Sequence, residues 1–171
     1  MITLAAGEVK TYPNFLDAVF QYSGGGAVTF QSAQTTGGTH NNRFIVNAEI
    51  RTSSARTGTT LPVLEFAGSS SRSFSPGVTV DTNTRTNIGC FDQSGAANNV
   101  KATILDSTGT QTIGTVNLNL VANAWSQTSV SSIVSGGYVQ FDPSGSAVCY
   151  AVVVDNTTNS GRVVPAAEYT P

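Results

Sequence analysis

Three times in this chain an aspartate is followed three residues later by a glycine: Asp92 and Gly95, Asp106 and Gly109, Asp142 and Gly145. In a type I turn the carboxylate at the first position accepts the turn's own N–H groups, and glycine at the fourth permits a left-handed exit. A chain that reverses this often has little room for long helices, and each turn is expected to join the two strands of a hairpin. The side chains between the turns agree. Valine occurs 19 times and leucine 7, with 42 Ser plus Thr, so the residues are those that fit a pleated, half-buried surface.

Alternation places the strands. Residues 100–105 run into the Asp106 turn and residues 112–121 return from it, with Ile113, Thr115, Asn117 and Asn119 on one face and Val116, Leu118 and Leu120 on the other. One face is wet and the other dry. Residues 137–141 lead into the Asp142 turn, and 147–154 return as an almost unbroken apolar run, the pattern of a central strand covered on both sides. Further strands are expected over 3–11, 27–32, 43–50, 61–66, 85–91 and 162–166. About ten short strands predict an all-β antiparallel sandwich, immunoglobulin-like or jelly-roll-like. One short helix is expected over 13–20, where Pro13 suits the first helical position and Phe15, Leu16, Val19 and Phe20 share a face.

The two ends of the chain resemble each other. Leu4-Ala5-Ala6-Gly7 matches Leu120-Val121-Ala122-Asn123, Gly25-Gly26-Ala27-Val28-Thr29-Phe30 matches Gly136-Gly137-Tyr138-Val139-Gln140-Phe141, and Arg43-Phe44-Ile45 matches Arg162-Val163-Val164. Residues 1–50 therefore read as the second half of a first repeat unit, 51–60 as a linker and 61–171 as a complete unit, the two able to merge into one domain. Residues 68–76, low in complexity, read as an exposed loop. Half a sandwich leaves strand edges and an apolar face without partners. Cover is expected from a longer parent chain, from the complete unit, or from a neighbouring subunit by strand exchange. Met1 directly before Ile2-Thr3-Leu4, already strand-like, favours a piece cut from a longer chain.

Arg85-Thr86-Asn87-Ile88-Gly89, the strand ending at Asp106, and above all Val153-Val154-Asp155-Asn156-Thr157 with Val164-Pro165-Ala166 downstream resemble the tandem β-sandwich modules of bacterial secreted and cell-surface proteins. The resemblance is dense over 80–169 and loose over 1–50. It implies an accessory module, recurring in pairs beside peptidase or adhesion domains, with no agreed enzymatic activity of its own. The chain departs from that pattern in lacking the first half of the first unit and in placing cysteines where small or aliphatic core residues are expected.

Those cysteines, Cys90 and Cys149, fall in two core strands 59 residues apart, which suits a disulfide between strands of one sandwich; two buried free thiols are the alternative. A bridge argues for an oxidising, extracellular or cell-surface setting. A metal site is not expected from two cysteines and one histidine, and no cofactor is implied.

Catalytic patterns fail on inspection. His40 is the single histidine, in a Gly-rich stretch that reads as loop, and there is no Gly-x-Ser-x-Gly, His-Glu-x-x-His or Walker-type sequence. Gly24-Gly25-Gly26 precedes a strand and so lacks the helix terminus that holds phosphate. The acids sit in turns and strand ends, not facing across a cleft. Trp125 and Tyr138 are candidates for an aromatic platform under a sugar ring, although Trp125 matches Val9 in the repeat and is expected to pack. Asp155 and Asn156 are candidate calcium ligands, with an Asx-type turn the expected alternative. A net charge of −2 with scattered basic residues excludes an electrostatic footprint for nucleic acid, and no apolar run is long enough to insert into a membrane. The expectation is a non-enzymatic extracellular structural or adhesive module, self-associating or joined to neighbouring domains. The alternative is a carbohydrate-binding accessory module of a secreted enzyme, with a surface glycan as partner.

Overall fold

The computed structural model describes residues 2–24, 27–30, 45–50, 59–61 and 70–168. Within them lie one helix, α1 (Phe15–Phe20), and eleven strands: β1 (Ala48–Ile50), β2 (Thr59–Leu61), β3 (Ser73–Val80), β4 (Thr84–Asp92), β5 (Asn98–Leu105), β6 (Thr112–Leu120), β7 (Trp125–Ser129), β8 (Val134–Pro143), β9 (Ala147–Asp155), β10 (Gly161–Pro165) and β11 (Ala167–Glu168). Strands β3 to β11 form an antiparallel sandwich of a four-stranded sheet, ordered β10-β9-β4-β7, and a five-stranded sheet, ordered β11-β3-β8-β5-β6. A separate ribbon of β1 and β2 stands beside β10, with the Thr59 side chain close to Gly161.

The core lies between the sheets and follows from alternation. Ile88 and Cys90 of β4 and Cys149 and Ala151 of β9 face Val78 of β3, Val100, Ala102 and Ile104 of β5, Leu118 and Leu120 of β6, and Val139 and Phe141 of β8. Burying a Phe, Ile, Leu or Val side chain contributes about 1.5–3 kcal/mol each, so this layer is the main driving force for the fold. The expected bridge is formed. Cys90 and Cys149 are direct cross-strand partners in β4 and β9, their Cα atoms 4.1 Å apart, and the disulfide lies inside the core within a single sheet.

The turns behave differently from expectation. Only the Asp106 turn closes a hairpin between paired neighbours, β5 and β6. The Asp92 turn carries the chain from β4 to β5, and the Asp142 turn from β8 to β9; both cross from one sheet to the other. The Asp-x-x-Gly pattern encodes a local reversal. Where the next strand then goes is decided by which sheet can bury its apolar face. Gly95 and Gly109 adopt the left-handed conformation at φ 71° and 73°, as the motif requires. Gly145 does not, and the Asp142 carboxylate turns away to Arg72 and Gln140, each at 2.7 Å.

Two further expectations are corrected. The stretch 68–76 is not simply loop: β3 begins at Ser73, and Ser75 and Val78 are fully buried. Register shifts after Pro76 break the alternation that would have marked the strand. No strand occupies the described residues of 3–11 or 27–32. At Ala6 and Gly7 the chain turns, with Gly7 at φ 75° and the Glu8 carboxylate accepting the Ala5 N–H, and this reversal interrupts an extended run. The helix expected over 13–20 starts at Phe15, after Asn14 in a left-handed conformation; Phe15 packs on Tyr12, Phe20 and Phe30, and no residue of α1 is buried. Residues 31–44, 51–58 and 62–66, which include His40 and most of the expected linker, lie outside the described residues.

Candidate functional site

The two outer faces of the sandwich differ in chemistry. On the five-stranded sheet the outward positions are Lys101 and Thr103 of β5, Thr115, Asn117 and Asn119 of β6, and Gln140 and Asp142 of β8, with Phe74 and Pro76 of β3, Leu105 of β5 and Tyr138 of β8 on the same side, so this face is polar along β6 and mixed toward β3. On the four-stranded sheet the register aligns Trp125, Phe91 and Val148 in one row; Gln127, Gly89, Tyr150 and Pro165 in the next; and Ser129, Asn87, Val152 and Val163 in a third. Phe91, Trp125, Val148, Tyr150, Val152, Val163 and Pro165 are only half-buried, so an apolar band crosses that outer face. The apolar run of β9 was expected to be covered on both sides. Its inner side is covered by the core, and its outer side is this band.

At the β7 end the band is ordered by hydrogen bonds. The Trp125 indole N–H donates to the Tyr150 hydroxyl at 2.8 Å, and that hydroxyl donates to the Gln127 side-chain oxygen at 2.9 Å. The Tyr150 ring lies across Gly89, where a Cβ would come within 2.5 Å of the phenol oxygen, so glycine is what lets the ring lie flat on the sheet. Burial raises the Tyr150 hydroxyl above its ordinary value, partly offset by the bond from Trp125. Trp125 is therefore an outward-facing residue held at a sheet edge, not a core residue. Tyr138 lies on the outer face of the other sheet, at the register of Leu105 and Pro76, and the two residues do not form one platform. The aromatic partner of Trp125 is Tyr150, which sequence reasoning passed over. The signal was present in the alternation of Val148, Tyr150 and Val152 on one face.

Four acids close turns. Asp81 accepts the N–H groups of Asn83 and Thr84, and Asp106 those of Thr110 and Gln111 along with the Thr108 hydroxyl, which holds its carboxyl below the usual range. Asp155 accepts the N–H groups of Thr158 and Thr157, which lower it likewise. The side-chain oxygen of Asn156 accepts from Arg85 at 2.8 Å, and its amide donates to the Thr82 carbonyl. Asp155 and Asn156 thus build the β9–β10 turn and fix an arginine, an environment with a cation already in it. Among the described residues, no three His, Cys, Asp or Glu side chains gather as a metal-binding group.

Asp92 is the fourth, and it is fully buried. One carboxylate oxygen accepts the N–H and hydroxyl of Ser94 and the Asn98 amide, and the other accepts the N–H groups of Gly95 and Asn123, at 2.6–3.2 Å. Burial alone would raise this carboxyl, but the bonds from Ser94, Asn123 and Asn98 outweigh it and hold it at about 2. The carboxylate ties its own crossover to the start of β5 and to the β6–β7 turn.

The geometry defines an antiparallel β-sandwich with a cystine in its core and an apolar band across the outer face of its four-stranded sheet. Comparison with family models, curated proteins and solved structures found no match.

Proposed function

We propose that this chain is a non-enzymatic, extracellular structural or adhesive β-sandwich module that self-associates through the outer face of its four-stranded sheet. The observation that carries the reading is the apolar band on the outer face of the four-stranded sheet, where Phe91, Trp125, Val148, Tyr150, Val152, Val163 and Pro165 are neighbours in the strand register and each is only half-buried. A contiguous exposed apolar patch is characteristic of a contact surface. The buried Cys90–Cys149 bridge supports an oxidising setting, and the engagement of the acids in turn closure supports a role in architecture over catalysis. The resemblance of residues 80–169 to accessory modules of secreted and cell-surface proteins points the same way. The test is the solution mass of the chain by size-exclusion chromatography with light scattering over a range of concentrations. An assembly whose mass falls on Val152→Lys is the expected result; a wild-type chain that is monomeric throughout, or an assembly unmoved by Val152→Lys, refutes it.

A second reading, a carbohydrate-binding accessory module, is favoured by the hydrogen-bonded Trp125, Tyr150 and Gln127 group, which sets aromatic rings beside a polar side chain as sugar recognition requires. Titration with soluble polysaccharides, followed through the fluorescence of the single tryptophan, would leave the emission unchanged if this reading is wrong.

A further inference from the structure

Sheet edges present unpaired N–H and C=O groups, and native chains blunt them with proline, charge, bulges or very short strands. One flank of this sandwich is defended in that manner. Its outer strands are β10, which carries Arg162 and Pro165, and β3, which carries Pro76 and two register shifts and is capped over Ser73 and Phe74 by the two-residue β11. Arg162 donates to the Gly77 carbonyl and Ser75 to the Val164 carbonyl, tying these strands across the gap between the sheets.

The opposite flank is formed by β6 and β7, and it is built on other terms. Neither strand contains a proline or a charged residue. β6 is nine residues long, pairs among the described residues with β5 alone, and exposes Thr115, Asn117 and Asn119. Every second residue of an edge strand turns its N–H and C=O away from its single partner, so β6 offers a row of donors and acceptors to whatever lies alongside.

We propose that β6 pairs antiparallel with β6 of a second copy of this chain, about a two-fold axis passing through Asn117. The strand is complementary to itself in this register. On the outer side Thr115 faces Asn119 and Asn117 faces its own counterpart; on the inner side Val116 faces Leu118. The polar outer face and the apolar inner face therefore each continue unbroken from one copy into the next, and two five-stranded sheets become one of ten strands. Asn99 of β5 already donates its side-chain amide to Asn119 of β6, so amide-to-amide pairing of the kind required is the chemistry this face uses within the chain. Such a contact is isologous and closes as a dimer. It rests on the self-association reading for its partner but uses a different surface, so a molecule with both contacts assembles into an extended array.

The test uses the oxidised, full-length chain. Asn117→Cys is expected to give a disulfide-linked dimer under mild oxidation, because the residue meets its own counterpart. Thr103→Cys, on β5 and on the same outer face but not at the edge, is expected to give none. Asn117→Lys sets two like charges opposite each other and is expected to raise the dissociation constant of the contact by about tenfold or more, while Thr103→Lys leaves it within about twofold. If Asn117→Lys leaves the mass of the assembly unchanged, or if Asn117→Cys links no faster than Thr103→Cys, the edge pairing is overturned, and the sheet-face reading is then decided by Val152→Lys alone. If Asn117→Lys dissociates the assembly and Val152→Lys does not, the edge pairing stands and the sheet-face reading falls. A wild-type chain monomeric at every concentration overturns both.

Discussion

Asp92→Asn is a change of one atom, and the structure says it should be severe. All five groups on the Asp92 carboxylate are donors: the N–H and hydroxyl of Ser94, the N–H groups of Gly95 and Asn123, and the amide of Asn98. An asparagine can serve three of them with its oxygen, but its own NH₂ then meets the two remaining N–H groups head-on in a buried site. Hydrogen bonds to a charged group are worth about 1.5–3 kcal/mol each, so losing two predicts a destabilisation of about 3–6 kcal/mol. That is a large part of the about 5–15 kcal/mol that holds a typical domain together. The assay is guanidinium unfolding at pH 7 followed by Trp125 fluorescence. The pH dependence gives an independent check. The carboxyl titrates at about 2 in the folded chain against an ordinary 3.8, so its contribution is fully present above pH ~4 and is lost as the pH falls toward 2. Wild type should therefore lose stability through that window faster than the variant, and the gap between them should narrow. A gap under about 1 kcal/mol at pH 7, or one that stays constant between pH 4 and 2, would refute the reasoning.

Replacing both Cys90 and Cys149 by alanine opens a 59-residue loop and should cost about 4 kcal/mol in the chain-entropy account, read as a lower unfolding midpoint that reductant no longer shifts. Gly89→Ala drives a methyl into the Tyr150 ring, so a loss of about 1–3 kcal/mol is expected together with a changed Trp125 emission as its partner hydroxyl moves away. Arg162→Met keeps the length of the stem but removes the donor to the Gly77 carbonyl; a loss of about 1 kcal/mol and faster hydrogen exchange confined to β3 and β10 are expected.

Legibility in the sequence tracked the strictness of alternation. β6 reads directly, because Thr115, Asn117 and Asn119 alternate with Val116, Leu118 and Leu120, and its hairpin partner follows from the Asp106 turn. β9 is legible for its apolar run, and the cysteines for their place in it and in β4. β3 was hidden: its buried positions include a serine, and the register shift after Pro76 breaks the period of two. β7 was hidden too, since Trp-Ser-Gln-Thr-Ser shows no apolar alternation and its one large residue points outward. The candidate surface was half legible. Trp125 stood out by its type, but its pairing with Tyr150 depends on β7 and β9 both flanking β4, a long-range register that no local pattern records. The turns at Asp92 and Asp142 were legible as turns and misread as hairpins, because the same capping chemistry serves a reversal within one sheet and a passage between two.

The position of the cystine has a mechanical meaning. It joins β4 to β9 and so closes off the stretch that holds β5, β6, β7 and β8. If the chain is pulled from its two ends, tension passes directly through the sulfur bridge and the enclosed stretch bears none of it. At about 3.3–3.6 Å per extended residue, the bridge withholds roughly 200 Å of contour length from a chain whose enclosed separation is 59 residues. A link of this kind yields at its ends, where β3, β10 and β11 can peel away, and then stops lengthening while both strands of its undefended flank remain folded.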